Sequence, residues 1–311
     1  MNANEVNMGL LSIIVPCYNE EAVVEQFYGV ATKELSTIEA DKEYIFVDDG
    51  SGDKTYQILQ KLAAEHEDVH YVSFSKNFGK EAAIFAGLHE AKGDAVVVID
   101  ADLQHPPKVV CEMYDLWKKG YEAIEGVKAS RGRESIFHKL MAGTFYKLIS
   151  NQMGIDMDNT SDFKFLDRKV VDSLCSLKER NTFFRALSFW VGYNTTSVEY
   201  EVQERAGGET KWSLVSLVKY AIRNLTSFSF TPLYSIIWIG AIFFIIGIAL
   251  AIDAIVDYIC GTTVDGYPTL IVLFVIATGC ILVSIGIIGV YIAKIYDEIK
   301  GRPQYIIRDR K

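Results

Sequence analysis

Residues 94–107, DAVVVIDADLQHPP, decide the fold. A short apolar run from Ala95 to Ile99 ends on Asp100-Ala101-Asp102, and the prolines at 106 and 107 open a helical pattern that lasts to Lys119. Such a run bounded by turn residues marks a strand buried on both faces. Working outward, the same unit recurs three times before it. LLSIIVP precedes a helical stretch from Glu21 to Leu35, EYIFVDD one from Thr55 to Glu65, and VHYVSFS one from Lys80 to Ala91. Strands alternating with helices at this spacing predict a doubly wound, mostly parallel α/β sheet. In such sheets ligands bind beyond the carboxyl ends of the strands. The residues there are Tyr18-Asn19-Glu20, Asp48-Asp49-Gly50-Ser51, Lys76-Asn77 and Asp100-Ala101-Asp102, and three of the four sets carry carboxylates.

The rest of the 311-residue chain differs in kind. Half of its residues are hydrophobic, and no Lys or Arg occurs from Asn224 to Ala293. Residues 232–256 and 268–293 are each long enough to cross a hydrocarbon core, which takes about 20 apolar residues. The expected organisation is therefore a globular α/β domain over 1–228 and a membrane domain over 229–311 with two spans. The link 257–267 is short and acidic, whereas Lys219 and Arg223 precede the spans and a basic tail follows them. The positive-inside rule then puts both termini in the cytoplasm and the link outside, and the cell (inner) membrane is the expected location. Asp253 lies near the outer end of the first span, where snorkelling explains it. The N-terminus lacks the pattern of a signal peptide.

Residues 134–150 have apolar positions at helical spacing with His138 and Lys139 between them. That suits an interfacial amphipathic helix and equally a core-facing helix of the first domain; a second interfacial helix is expected over 212–230. A net charge of −9 argues against nucleic acid as a partner. The five cysteines are scattered without zinc-ligand spacing and are expected to be reduced, mostly buried thiols of a cytosol-facing protein.

Asp100 and Asp102, at i and i+2 of an extended segment, point the same way and can share one hard cation, with Gln104 as a third oxygen. Mg²⁺ or Mn²⁺ held by few protein ligands and by substrate phosphates is the expected cofactor. Strand-end acids also serve as solvated turns or helix caps. In the DDGSGD segment, Asp48 and Asp49 point to opposite faces, so only one faces a ligand, while Asp53 caps the next helix. A ring and acceptors in Pro16-Cys17-Tyr18-Asn19-Glu20 suit a base and ribose. Neither GxGxxG nor GxxxxGK[ST] is present, which disfavours a dehydrogenase or a P-loop ATPase.

Together, VPCYNEE, VDDGSGD, KNFGKEAAIFAG and IDADLQHPP resemble the nucleotide-diphospho-sugar domain of the inverting family-2 glycosyltransferases, which have a GT-A fold. TSDFKFLDR, RNTFFRALSFWVGY, ERAGGETKWS and the ending GVYIAKIYDEIKGRPQYII narrow the likeness to the polyprenyl-phosphate branch, which includes bactoprenol glucosyltransferases. The resemblance runs from Leu11 to Ile307. It implies that Pro16, Tyr18, Glu20 and Asp49 contact the nucleoside, that Asp100, Ala101, Asp102 and Gln104 meet the metal and diphosphate, and that Lys80 lies on the donor side. It places Asp162 as catalytic base, Arg205 and Lys211 on a mobile loop that meets donor diphosphate or acceptor phosphate, and Arg131 on the acceptor side. Asp162 would alternatively orient the phosphate or a nearby cation, or cap a turn, and Arg185 and Trp190 would pack their segment.

The implied activity is transfer of one sugar from a nucleotide-sugar donor, UDP-glucose favoured, to undecaprenyl phosphate at the cytoplasmic face, with inversion. A homo-oligomer is compatible with the family. A processive polysaccharide synthase shares the sugar-nucleotide domain but usually carries more spans and QxxRW, where this chain reads FFRALSFW. An inactive membrane scaffold is disfavoured by the intact DAD and the Arg205/Lys211 pair.

Overall fold

In the computed structural model the described residues are 9–129, 161–177, 179, 183–202, 231–261 and 267–311. They form two units, one of residues 1–214 with 303–311, the other of 215–302. The first unit is built on one eight-stranded sheet of order β7-β5-β6-β4-β1-β2-β3-β8. Its centre follows the sequence expectation. Strands β1 (Leu10–Cys17), β2 (Asp41–Asp48), β3 (Val69–Phe74) and β4 (Ala95–Val98) are parallel. Helices α1 (Val24–Glu34), α2 (Thr55–Glu65), α3 (Lys80–Glu90) and α4 (Val109–Lys118) intervene or follow. These strands read as near-continuous β-branched and aromatic runs because both faces are covered. Ile13, Ile14, Val15, Phe46, Val47, Val96 and Val97 are all at most 1 % exposed.

The chain winds outward from β1 through β2 to β3 and then returns to lay β4 on the other side of β1. That reversal opens a crevice between the carboxyl ends of β1 and β4, where Tyr18 and Asp100 emerge. Beyond β4 the sheet departs from the expected parallel pattern. Strand β6 (Lys164–Asp167) runs antiparallel between β4 and β5 (Ala123–Lys128), and β7 (Thr195–Tyr200) pairs parallel to β5. Val98 lies opposite Lys164; two residues on in that register, Asp100 and Asp162 face one another. Helices α5 (Arg168–Ser176) and α6 (Phe184–Trp190) complete this part of the unit. Asp167 caps α5, its side chain accepting from Lys169 N–H.

The second unit holds two long apolar helices, α7 (Thr231–Cys260) and α8 (Tyr267–Ile299). Each contains a stretch long and apolar enough to span a bilayer, Leu233–Leu250 and Leu273–Ile299. The expected interfacial helices over 134–150 and 212–230 lie outside the described residues. Residues 303–311 rejoin the first unit, where β8 (Ile307–Arg310) pairs antiparallel with β3. Its IRDR sequence hides this role, since a four-residue edge strand with charges on it carries little apolar signal. Of the cysteines only Cys17 is buried, Cys111, Cys175 and Cys280 are half-buried, and Cys260 is exposed.

Helix α3 crosses the sheet closely, and a Cβ on Gly87 would run into the side chain of buried Ile14. Alanine there gains up to about 1 kcal/mol of helix propensity, yet overpacking a full core costs about 1–3 kcal/mol. Gly87→Ala is expected to be destabilising on balance. Gly29→Ala, whose Cβ meets nothing on the exposed face of α1, is expected to stabilise by up to about 1 kcal/mol. Chemical denaturation of the detergent-solubilised protein reads both, and a shift of the same sign in the two variants defeats the packing account.

Candidate active site

The crevice at the β1/β4 reversal contains a cavity of approximately 260 Å³. Pro16, Tyr18, Glu20, Asp49, Lys80, Asp100, Ala101 and Asp102 line it, so the structure brings together all but one of the expected donor-side residues. The exception is Gln104, half-buried and not among the lining residues. Its backbone N–H instead donates to Asp102 Oδ1 at 3.1 Å. Cys17, Asn77, Gly79 and Ala83 complete the wall.

Local hydrogen bonding shapes the nucleoside side. Asn19 adopts a positive φ of 57°, a conformation Asn tolerates better than most residues. Its N–H donates to Ser51 Oγ (2.9 Å), and its Oδ1 accepts from Gly52 N–H (2.8 Å), tying the loop after β1 to the loop after β2. Asp48 and Asp49 diverge as the pleat requires. Asp48 turns inward, accepting from Ser51 N–H and Ser73 Oγ–H (2.9 and 2.7 Å), while Asp49 faces the cavity. Both Asp49 oxygens accept backbone N–H groups, from Phe78 at 2.6 Å and Gly79 at 2.9 Å. Burial pushes the Asp49 carboxyl up to about 6 although these two donors favour its ionised form. Gly50, at φ 67°, lies so close to the Lys76 backbone that a Cβ would collide with it. Asp53, as expected, accepts from Thr55 N–H at the start of α2 (2.9 Å).

Charge concentrates at the other end of the cavity. The Lys80 ammonium, on the first residue of α3, lies 2.6 Å from Asp100 Oδ1 and 2.9 Å from Asp162 Oδ2. Arg185, on α6, grips Asp162 with two donors, Nε to Oδ1 at 2.6 Å and Nη2 to Oδ2 at 3.1 Å. Burial alone raises the Asp162 carboxyl, but Lys80 and Arg185 outweigh it and hold the group well below the usual carboxylate range. The same contest, decided by Lys80 and then His105, keeps Asp100 low. For Lys80 the desolvation cost is reversed by its two carboxylate partners, so the ammonium stays charged. Glu81, beside it, accepts from Phe184 N–H at 2.9 Å. Its carboxyl is pushed up to about 7 by burial and by the Asp162 charge.

Further contacts brace this cluster. Glu125 Oε1 accepts from Ser161 N–H (3.2 Å) and from the buried Lys164 ammonium (2.9 Å), fixing the segment that presents Asp162. The buried His105 ring stacks on Phe163 at 5.2 Å, with Nδ1 3.8 Å from Asp100 Oδ2.

Asp100 and Asp102 both face the cavity. Among the described residues no three His, Cys, Asp or Glu side chains converge into a complete metal cage. Two hard carboxylate oxygens beside open space fit a cation of the Mg²⁺ type, which takes one or two carboxylates and completes its shell with water and phosphate. Arg131, Arg205 and Lys211 lie outside the described residues. Sequence reasoning treated Arg185 as packing and missed Glu81. The FFRALSFW segment held the Arg185 signal, an arginine on a short apolar helix with no acid nearby in sequence. Trp190, by contrast, is 61 % exposed.

The sequence profile of Glycosyl transferase family 2 matches residues 12–175. The chain is 41 % identical over 303 residues to the uncharacterized glycosyltransferase YkcC of Bacillus subtilis (strain 168), covering 96 % of this chain and 93 % of that protein. It is 37 % identical over 304 residues to the SfII prophage-derived bactoprenol glucosyl transferase of Shigella flexneri, covering 96 % and 97 %. Among solved structures, glucosyl-3-phosphoglycerate synthase from Mycobacterium tuberculosis in complex with Mg²⁺ and uridine diphosphate superposes with a TM-score of 0.51. The match spans 70 % of this chain and 79 % of that one at 18 % identity, a likeness of fold.

Proposed function

Since the chain belongs to glycosyl transferase family 2, we propose that its cavity takes a nucleotide-sugar donor and that it transfers one sugar, with inversion, to a polyprenyl phosphate. UDP-glucose is the favoured donor and undecaprenyl phosphate the favoured acceptor. The observation that carries this reading is the convergence of Tyr18, Asp49, Asp100 and Asp102 on one cavity. The chain also aligns over 96 % of its length with a bactoprenol glucosyl transferase. The two long apolar helices support an acceptor whose tail stays in lipid.

Each part of the site has a task in this chemistry. Tyr18, half exposed at the mouth, offers its ring to the base, and Asp49 and Glu20 offer acceptors to the nucleoside. Asp100 and Asp102 would hold Mg²⁺ or Mn²⁺. When bound, that ion supplies positive charge to the diphosphate leaving group. A monoalkyl phosphate has its second pKa near 6, so the acceptor is already nucleophilic at neutral pH and requires little deprotonation. Asp162, ionised and with both oxygens engaged, then serves as the anchor of Lys80 and Arg185 rather than as a base. The two fixed cations lower the cost of bringing two anionic substrates together. Arg205, Lys211 and Arg131 would add charge on the acceptor side.

Topology follows the same logic. The chain leaves the first unit before residue 215 and returns to it at 303. Two spans in between put both flanks on one side of a membrane. The basic residues at those flanks and their absence between them support the cytoplasm as that side.

Three measurements test this. In proteoliposomes with undecaprenyl phosphate and Mg²⁺ or Mn²⁺, label from UDP-glucose is expected in the lipid phase and is lost with EDTA or Asp102→Ala. Equal transfer to a soluble, lipid-free acceptor overturns the reading. Asp162→Asn is expected to lower turnover about 100-fold, since a displacement of about 1 Å in a positioned group can cost that much in rate, while leaving the shape of the rate profile between pH 5 and 8 unchanged. Disappearance of an acid limb in that variant restores the base assignment. Finally, a variant retaining Cys260 alone is expected to react with a membrane-impermeant maleimide on intact cells. Reaction only after permeabilisation reverses the orientation.

A further inference from the structure

The tail that follows α8 is tied to the sheet more firmly than a cover for an edge strand needs. Asp309 Oδ2 accepts from the hydroxyls of Tyr56 (2.6 Å) and Tyr71 (2.8 Å). The Arg308 guanidinium sits 4.5 Å over the Tyr56 ring, and Arg310 pairs with Glu90 at 2.6 Å. Lys311 and Tyr71 exchange backbone hydrogen bonds. These contacts fix the strand. One residue before it, Ile306 O accepts from Ser75 N–H at 3.0 Å, so the tail reaches past the end of β3 to the loop over 75–79. There the Tyr305 ring lies flat on Phe74, centroids 4.9 Å apart and planes 13° from parallel. Fully buried Phe74 meets Phe78 edge-on at 5.8 Å.

That loop is part of the cavity. Asn77 and Gly79 line it, the N–H groups of Phe78 and Gly79 hold both oxygens of Asp49, and Lys80 follows at once with its ammonium on Asp100 and Asp162. We infer that Tyr305 is a positioning residue for the donor. By clamping Phe74 and, through it, Phe78, it sets the 75–79 loop at the height where Asp49 and Gly79 meet the nucleotide. The donor pocket of the first unit thus depends on nine residues that the chain supplies only after both apolar helices have been made. Loops are more mobile than the strands that carry them, and this one lies at the outer part of the sheet, next to its terminal strand. Without the stack its orientation rests on the two hydrogen bonds to Asp49, the Ser75–Ile306 hydrogen bond and the edge contact of Phe78 with Phe74.

The inference rests on the donor-site reading above. The test uses the full chain in detergent or nanodiscs, with UDP as probe in calorimetry and UDP-glucose in steady-state transfer. Aromatic pairs are worth about 0.5–1.5 kcal/mol beyond their burial, so Tyr305→Ala is expected to weaken UDP binding by about three- to tenfold. The donor KM should rise in step while kcat holds, and Tyr305→Phe should restore wild-type values. Tyr305→Leu, which fills the space without a planar face, serves where the alanine variant folds poorly and is expected to show the same split. Coupling is read from a cycle with Phe78→Ala: the double variant should bind UDP no more weakly than Phe78→Ala alone. Unchanged affinity in Tyr305→Ala, a fall in kcat at constant KM, or additive effects of Tyr305 and Phe78 overturn the inference. A wild-type chain that binds none of UDP, GDP and dTDP overturns instead the donor reading beneath it.

Discussion

The antiparallel seating of β6 against β4 is the constraint on which the charged end of the site depends. It sets Asp162 opposite Asp100, with side chains 8 % and 27 % exposed, and two carboxylates so placed repel each other and lose hydration. Lys80 resolves both problems by lying between them, and Arg185 takes the remaining face of Asp162. Each cation is delivered by a different element, Lys80 by the start of α3 and Arg185 by α6, and Glu81 fastens the two helices by accepting from Phe184 N–H. A buried charge that loses one of its partners is strongly destabilising, so this cluster fixes the geometry of the site as well as its charge. On the proposed chemistry it also makes Asp162 an anchor for two cations rather than a base. An ionised carboxylate with every oxygen engaged is a poor acceptor of a further proton.

The central fold was legible in the sequence wherever burial enforced a period. Four βα units were bounded to within a few residues because parallel strands covered on both faces read as unbroken apolar runs. The divergence of Asp48 and Asp49 followed from the pleat alone. The strands beyond β4 were not legible. KFLD carries a lysine that is buried only because Glu125 lies 2.9 Å away and the Phe189 ring 4.1 Å away, and neither neighbour can be read from local pattern. IRDR looked like a basic tail because its partner strand, β3, lies more than 200 residues upstream. In both places a charge was satisfied by a distant segment, and composition records the charge but not its partner.

The same limit applies to the site. Asp100, Asp102, Asp49, Tyr18 and Glu20 could be found because strand ends are where an α/β sheet binds ligands, and the reversal of strand order at β1 put them in one cavity. Gln104 is absent from the lining residues because the chain turns at Leu103, which adopts a positive φ of 59° and aims the Gln104 N–H back at Asp102. An extended segment would have carried that side chain forward with the two carboxylates. Leucine gives no hint of such a turn, where glycine or asparagine would have.

The tail strand joins these observations to the membrane helices. Docking a short segment to the edge of a sheet after 88 residues spent elsewhere would cost considerable loop-closure entropy in a free chain. On the proposed topology two bilayer spans would lower that cost, since the second span would return the chain to the side from which the first departed. The edge of β3 is thereby closed without a long apolar strand that would itself be prone to pair with other chains. In exchange, the outer edge of the sheet is completed only by residues that follow both apolar helices in the chain, so that on the proposed topology a finished sheet would require both spans.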